Sequence, residues 1–152
     1  MSTGRPLASV RTLLPLAACA AVAGCPSSPV VVHAPLDRSH ENLMHIGTAY
    51  DRFTTHSAQA PTRVEQLRPF LKELGDPDEL LRSPRDGEPY AICWGVDLRV
   101  RPKWATSTPV LAYEKRGADG QRYVLTTLRS VSLMTDQEFK QSSFPPGHRP
   151  PP

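Results

Sequence analysis

Ser83-Pro84-Arg85-Asp86-Gly87-Glu88-Pro89-Tyr90-Ala91-Ile92-Cys93-Trp94 is the stretch where the chain changes its rhythm. Before it, apolar residues recur every three or four positions, as on one face of a helix. After Pro89 they alternate: Tyr90, Ile92 and Trp94 against Ala91 and Cys93. Two prolines and an Asp-Gly pair within seven residues are dense turn chemistry, so the two rhythms meet at a loop.

Upstream, Leu43, Ile46, Tyr50 and Phe53 form the stripe of an amphipathic helix. Ser39 is the expected N-cap, and the helix is expected over about His40 to Thr55, closed by the His56–Pro61 loop. Thr62-Arg63-Val64-Glu65 reads as a capping box opening a second, shorter helix through Val64, Leu67, Phe70, Leu71 and Leu74. Pro69 lies deeper than its first turn and is expected to kink it, and Gly75 suits its end. Asp76 to Leu81 is expected to add a helical turn.

Downstream, Val96, Leu98 and Val100 alternate with Asp97, Arg99 and Arg101, a second expected strand. Pro109–Glu114 is a third, Lys115–Gly120 turns the chain, and Gln121–Leu128 returns as its hairpin partner. Ser130–Met134 is a further strand, and Thr135-Asp136-Gln137-Glu138 is a capping box for a last helical turn. Helices first and strands afterwards predict an α+β domain: an N-terminal amphipathic helix and a short second helix packed on an antiparallel meander sheet of 3–4 strands.

The flanks differ in composition. Met1–Arg11 carries Arg5 and Arg11 without an acid, and an apolar run follows from Thr12 to Ala23. This is the layout of a secretory leader, and it is shorter than the roughly 20 apolar residues a spanning helix needs. The run ends in Val22-Ala23-Gly24-Cys25, which resembles the lipobox of bacterial lipoproteins. That resemblance implies cleavage before Cys25 and acylation of its thiol and new amino group, with palmitate-type chains. Leu16-Ala17-Ala18-Cys19 fits the same pattern, so Cys19 is the alternative, although it leaves a much shorter apolar run. One acyl chain holds a membrane weakly, at about 0.8 kcal/mol per buried methylene, and a triacylated cysteine anchors without a spanning helix. The expected organisation is therefore a signal peptide over 1–24, a lipidated cysteine and Pro/Ser-rich linker over 25–38, the α+β domain over 39–140 and a disordered proline-rich tail over 141–152.

Several pieces of the domain resemble known families. Glu41-Asn42-Leu43-Met44-His45-Ile46-Gly47-Thr48-Ala49-Tyr50 is similar to the helix of pilin-like secreted proteins of planctomycetes. Ser83-Pro84-Arg85-Asp86-Gly87-Glu88-Pro89-Tyr90 is similar to the Asp-Pro-x-Gly-x-Pro-Tyr turn of type II secretion major pseudopilins. Val110–Glu114, Arg122–Leu125 and Ser130–Met134 resemble the closing strands of the planctomycete group. The resemblance implies a pseudopilin-like head. The long apolar N-terminal helix that anchors pilins and cores their filaments has its place taken by a lipidated cysteine and a linker, which argues against filament assembly through a buried stem.

Charge and motif content narrow the chemistry. The formal net charge is +3, and two of the surplus cations, Arg5 and Arg11, leave with the expected leader. The remainder is close to neutral, so no nucleic-acid partner is expected. If Cys25 is acylated, Cys93 is the one thiol left and no disulfide framework exists; if Cys19 is, Cys25 could pair with Cys93. His45 and His56 lie eleven apart, about 16 Å along a helix at 1.5 Å per residue, too far to share a metal, so solvent-facing histidines are expected at 40, 45 and 56. Cys93 inside a strand beside Trp94 reads as a buried inert thiol. The acids Asp76, Asp78, Glu79, Asp86 and Glu88 cluster in loops. Pseudopilins as a family bind calcium in a late loop, and Gly117-Ala118-Asp119-Gly120 is the nearest counterpart, with Lys115 and Arg116 crowding it. Trp94, Trp104 and Tyr113 are candidates for a binding face or for packing. No catalytic, cofactor or metal residue is expected. The functional expectation is a non-enzymatic lipoprotein of the cell envelope, anchored to a membrane through lipid, facing the periplasm or exterior, with an envelope protein as partner and a structural, interaction or secretion-related role. The rival is a small envelope enzyme or a ligand- or calcium-binding protein using the acidic loops.

Overall fold

Asp37 opens the first helix: its carboxylate accepts the Ser39 N–H at 2.8 Å, and α1 runs over Arg38–Ser57. The computed structural model describes residues 37–100 and 107–150, all within one compact unit. The helix starts and ends two residues beyond the expected His40–Thr55 span. The aspartate takes the cap that the sequence suggested for Ser39, because a carboxylate one turn back satisfies the orphan N–H groups and also suits the helix dipole. Ser39 is thereby placed inside the helix and fully buried. Leu43, Ile46, Ala49 and Tyr50 form the buried stripe, as their spacing requires.

The second helical segment differs from its expectation. Gln66, not Glu65, reaches back: its side-chain oxygen accepts the N–H groups of Thr62 (2.7 Å) and Arg63 (3.3 Å). A 3-10 turn over Val64–Gln66 results, and a new helix, α2 (Arg68–Lys72), carries Pro69 in its first turn rather than being kinked by it. A proline in a first turn removes only an N–H that has no helical partner. Asp76 caps the short α3 (Pro77–Leu80) through the Asp78 N–H at 2.8 Å.

The sheet is an antiparallel meander in chain order: β1 (Ala91–Ile92), β2 (Val110–Tyr113), β3 (Gln121–Thr126) and β4 (Val131–Thr135). The predicted α+β architecture of a helix on a meander sheet is thus observed. β1 is only two residues long. Gly95 then turns the chain at a φ of 75°, and the Tyr50 hydroxyl holds this turn by donating to the Cys93 carbonyl (3.2 Å) and accepting the Val96 N–H (3.0 Å). The strand expected from Val96 is a turn instead over 96–100. Asp97 accepts both the Arg99 N–H and its guanidinium at 2.8–2.9 Å, a local ring that competes with ladder bonds.

Alternation assigns the faces of the sheet. Tyr123 and Leu125 look toward α1: His40 meets the Tyr123 ring edge-on at 5.9 Å, and a Cβ on Gly47 would sit 3.3 Å from the Leu125 methyls. Tyr113 pairs with Val124 on the opposite face. There it packs on Phe139 of α4 (Asp136–Lys140), which the expected Thr135/Glu138 capping box opens, with ring centroids 4.8 Å apart. Phe144 and His148 complete that cluster at 6.0 and 5.7 Å. The segment from 141, expected as a disordered tail, therefore packs back onto the sheet as far as His148. The Ser143 carbonyl accepts the Val110 N–H (2.9 Å), and the Tyr113 hydroxyl bonds His148 Nε2 (2.9 Å). Its proline content forbids helix and ladder but not a seat for two rings.

Candidate functional site

The turn that changed the chain's rhythm is the most heavily bonded polar region of the domain. Glu114, at the end of β2, has a fully buried side chain. It accepts the Ser83 hydroxyl, the Arg85 guanidinium and the Tyr123 N–H, each at 2.8 Å. Arg85 also reaches the Ala118 carbonyl at 3.3 Å and lies over the Tyr123 ring at 4.9 Å. Ser83 in turn sits 3.3 Å from the Ser39 hydroxyl of α1. One buried carboxylate thus ties α1, the 83–89 turn, β2 and β3 together. Its apolar neighbours on β2 hid this role in the sequence; the signal available was a lone acid closing the run Val110–Tyr113 ahead of a Lys-Arg-Gly turn.

Asp86 does a similar task nearer the surface. It accepts the N–H groups of Glu88, Arg116 and Gly117, each at 3.0 Å. Partial burial works to raise its pKa, but these backbone donors, with Ser83, outweigh that and hold the carboxyl below its ordinary range. The hairpin turn it grips depends on Gly117, at a φ of 70°, where a Cβ would run into the Gln121 carbonyl and lie 2.8 Å from the Arg122 Cβ. The remaining acids of these loops are also engaged. Asp76 caps α3, Asp78 pairs with Arg68 (2.7 Å), Glu79 with Arg38 (2.8 Å) and Glu88 with Arg116 (3.2 Å). Asp119, the nearest counterpart of a calcium ligand, is exposed, and no three His, Cys, Asp or Glu side chains converge on a metal position among the described residues.

Cys93 is fully buried, and burial pushes its thiol up to about 12, far from a nucleophile at neutral pH. The histidines are not uniformly solvent-facing. His56 is exposed, whereas His40 and His45 are half-buried, with Nδ1 atoms that find no partner among the described residues. Tyr113 and Trp94 do not share one face: Tyr113 lies under the C-terminal segment, while Trp94 borders a groove. Trp104 falls outside the described residues, as do both lipidation candidates, Cys19 and Cys25.

The groove beside Trp94 has a volume of about 570 Å³ and runs between α2–α3 and the edge strand β1, lined by Val64, Leu81, Tyr90, Ile92 and Trp94. Its polar rim is already engaged: Arg68 pairs with Asp78, and Arg82 donates to the Gly87 carbonyl at 2.6 Å. Such a site offers apolar area and shape rather than a proton donor or nucleophile. Comparison with protein-family models, with characterised proteins and with solved structures finds no match to this chain.

Proposed function

We propose that this protein is a lipid-tethered, non-enzymatic component of a bacterial cell envelope, its α+β head displayed on the periplasmic or outer side for a structural or protein-interaction role. One observation carries the non-enzymatic part. The five acids of the 76–88 loops, which would serve a hydrolase or a metal site, are each already capping a helix, gripping a turn or paired with an arginine. A general acid or base needs a carboxyl free to reach a substrate, and each of these is already engaged within the fold. The tether is supported by the Val22-Ala23-Gly24-Cys25 pattern and the Pro/Ser-rich stretch after it. The pseudopilin-like reading of the head rests on the Ser83–Tyr90 residue pattern, a turn in which Asp86 accepts the Glu88 N–H and Gly87 takes a φ of 71°.

Fractionation of cells expressing the full chain tests the proposal. The wild type should sediment with membranes and Cys25→Ser should be released into the soluble fraction. A hydrolase screen of the purified chain should show no turnover that disappears in Asp86→Ala or Cys93→Ala. A soluble wild type, or turnover lost in either variant while the fold is kept, would overturn it.

A further inference from the structure

The sheet has two edges, and they differ. β1 is two residues long and runs into the Gly95 turn, a short edge that resists pairing. β4 is five residues long, and its pairing with β3 has no bulge. The run Ser130–Thr135 carries no charge and no proline. Charges, prolines and bulges are the usual guards of an edge strand, and β4 has none of them. The Tyr123 carbonyl accepts the Glu114 N–H at 3.1 Å, and Glu114 Oε2 takes the Tyr123 N–H, so Tyr123 turns its backbone toward β2. Leu133 is its direct partner on β4 and therefore turns its own N–H and C=O away from β3, to the open edge. Val131, two residues earlier, does the same. No partner meets these groups among the described residues. Leu133 points to the α1 side with Tyr123, yet it is 43 % exposed, so α1 does not cover it. α4 leaves the edge clear as well, because it folds back to set Phe139 on Tyr113 of β2.

We infer that β4 pairs antiparallel with β4 of a second copy of this chain across a two-fold axis, joining the two sheets edge to edge. The strand is complementary to itself. In the register that pairs all five of its residues, Leu133 faces Leu133 of the copy, and Val131 faces Thr135. Leu133 then exchanges both backbone bonds with its counterpart, and the Val131 N–H reaches the Thr135 carbonyl at either end. The two exposed leucines meet on one face of the joined sheet. Charge sets the direction. Arg129 precedes β4, and Asp136 and Glu138 follow it in the first turn of α4. Antiparallel pairing brings each arginine toward the other copy's acids, whereas parallel pairing would set like against like. Arg129 is already held by Asp51 at 3.1 Å and Asp136 by Arg122 at 2.7 Å, so these charges choose the orientation and add little affinity. A five-residue pairing is a small interface, so the dimer belongs to the weak, transient class. The pairing involves the head alone and does not depend on a lipid tether.

The test uses the full chain with Cys19→Ser and Cys25→Ser in a mild detergent, so that neither an acyl anchor nor a leader cysteine contributes. Leu133→Cys is oxidised with copper phenanthroline and compared with Leu128→Cys. Leu128, in the turn before β4, is 76 % exposed and would cross-link more readily by random collision. In the proposed pair the two residues at 133 have Cα atoms about 5.5 Å apart, within disulfide reach, whereas the two at 128 lie roughly 30 Å apart. Leu133→Cys should give the disulfide-linked dimer and Leu128→Cys little of it. In sedimentation equilibrium at rising concentration, Leu133→Lys and Leu133→Glu should each weaken self-association by at least about tenfold, with the far-UV circular dichroism unchanged. An equimolar mixture of the two should restore it, since position 133 faces itself. Equal cross-linking at the two positions, or association unchanged in Leu133→Lys, would overturn the proposal. A wild type that stays monomeric at every concentration would overturn it too. Hydrogen exchange then names the other occupant: protected Val131 and Leu133 amides assign the edge to a segment of this chain such as Val30–Val32, and open ones leave it to an extended segment of another protein.

Discussion

The two faces of the sheet are built by different means. The α1 face is covered by a long helix with a regular apolar stripe, and its edge is sealed by the Glu114–Arg85–Ser83 network. The opposite face is covered by one helical turn and an irregular, proline-rich segment that lays Phe139, Phe144 and His148 around Tyr113. The first is periodic and cooperative, each residue held by neighbours on the same helix. The second depends on a few rings placed by a chain that has no ladder or helix to position them. The stability of the two faces should differ accordingly.

The sharpest way to break the comparison is at the buried ion pair. Arg85→Ala leaves the Glu114 carboxylate buried without its cation, and an orphaned buried charge costs about 3–5 kcal/mol. Urea unfolding monitored by far-UV circular dichroism should show the whole domain destabilised. Next, Ile46→Ala on the helical stripe should cost about 2–5 kcal/mol by cavity formation, again with one cooperative transition. On the other face the effects should be smaller and local. Phe144 is only half-buried, so Phe144→Ala should cost about 1–2 kcal/mol and raise hydrogen exchange around Val110–Tyr113 before global unfolding. A loss equal to that of Ile46→Ala would mean that the two faces are one unit.

The smallest effect concerns pH. Burial lowers the His148 pKa below its ordinary 6.5. The unfolded chain therefore takes up this proton more readily than the folded one. The contribution is fully present above pH 6.5 and is lost as the pH falls through the folded value. The melting temperature should drop between about pH 7.5 and about pH 5.5, and His148→Ala, which removes the titrating group, should narrow that gap.

The contrast also explains what could be read in the sequence. The stripe Leu43–Ile46–Tyr50, the hairpin around Lys115–Gly120 and the Thr135/Glu138 capping box are local patterns, and all appear where their spacing placed them. Caps drifted by a residue or two: Asp37 displaced Ser39, and Gln66 displaced Glu65, because several polar side chains compete for the same orphan N–H groups. The Val96–Val100 alternation failed because Asp97 found Arg99 closer at hand than any strand. The Phe144–His148 seat and the burial of Glu114 were illegible for a common reason. Both are set by partners some thirty residues away, and composition records only that prolines or a lone acid are present.

The tether can be read directly from the intact mass of the mature protein extracted from membranes of cells that express the full chain. The account predicts a polypeptide beginning at Cys25 with the added mass of a diacylglyceryl group and an amide-linked acyl chain. A chain that retains residues 1–24, or one that begins at Cys25 without any lipid mass, would contradict it.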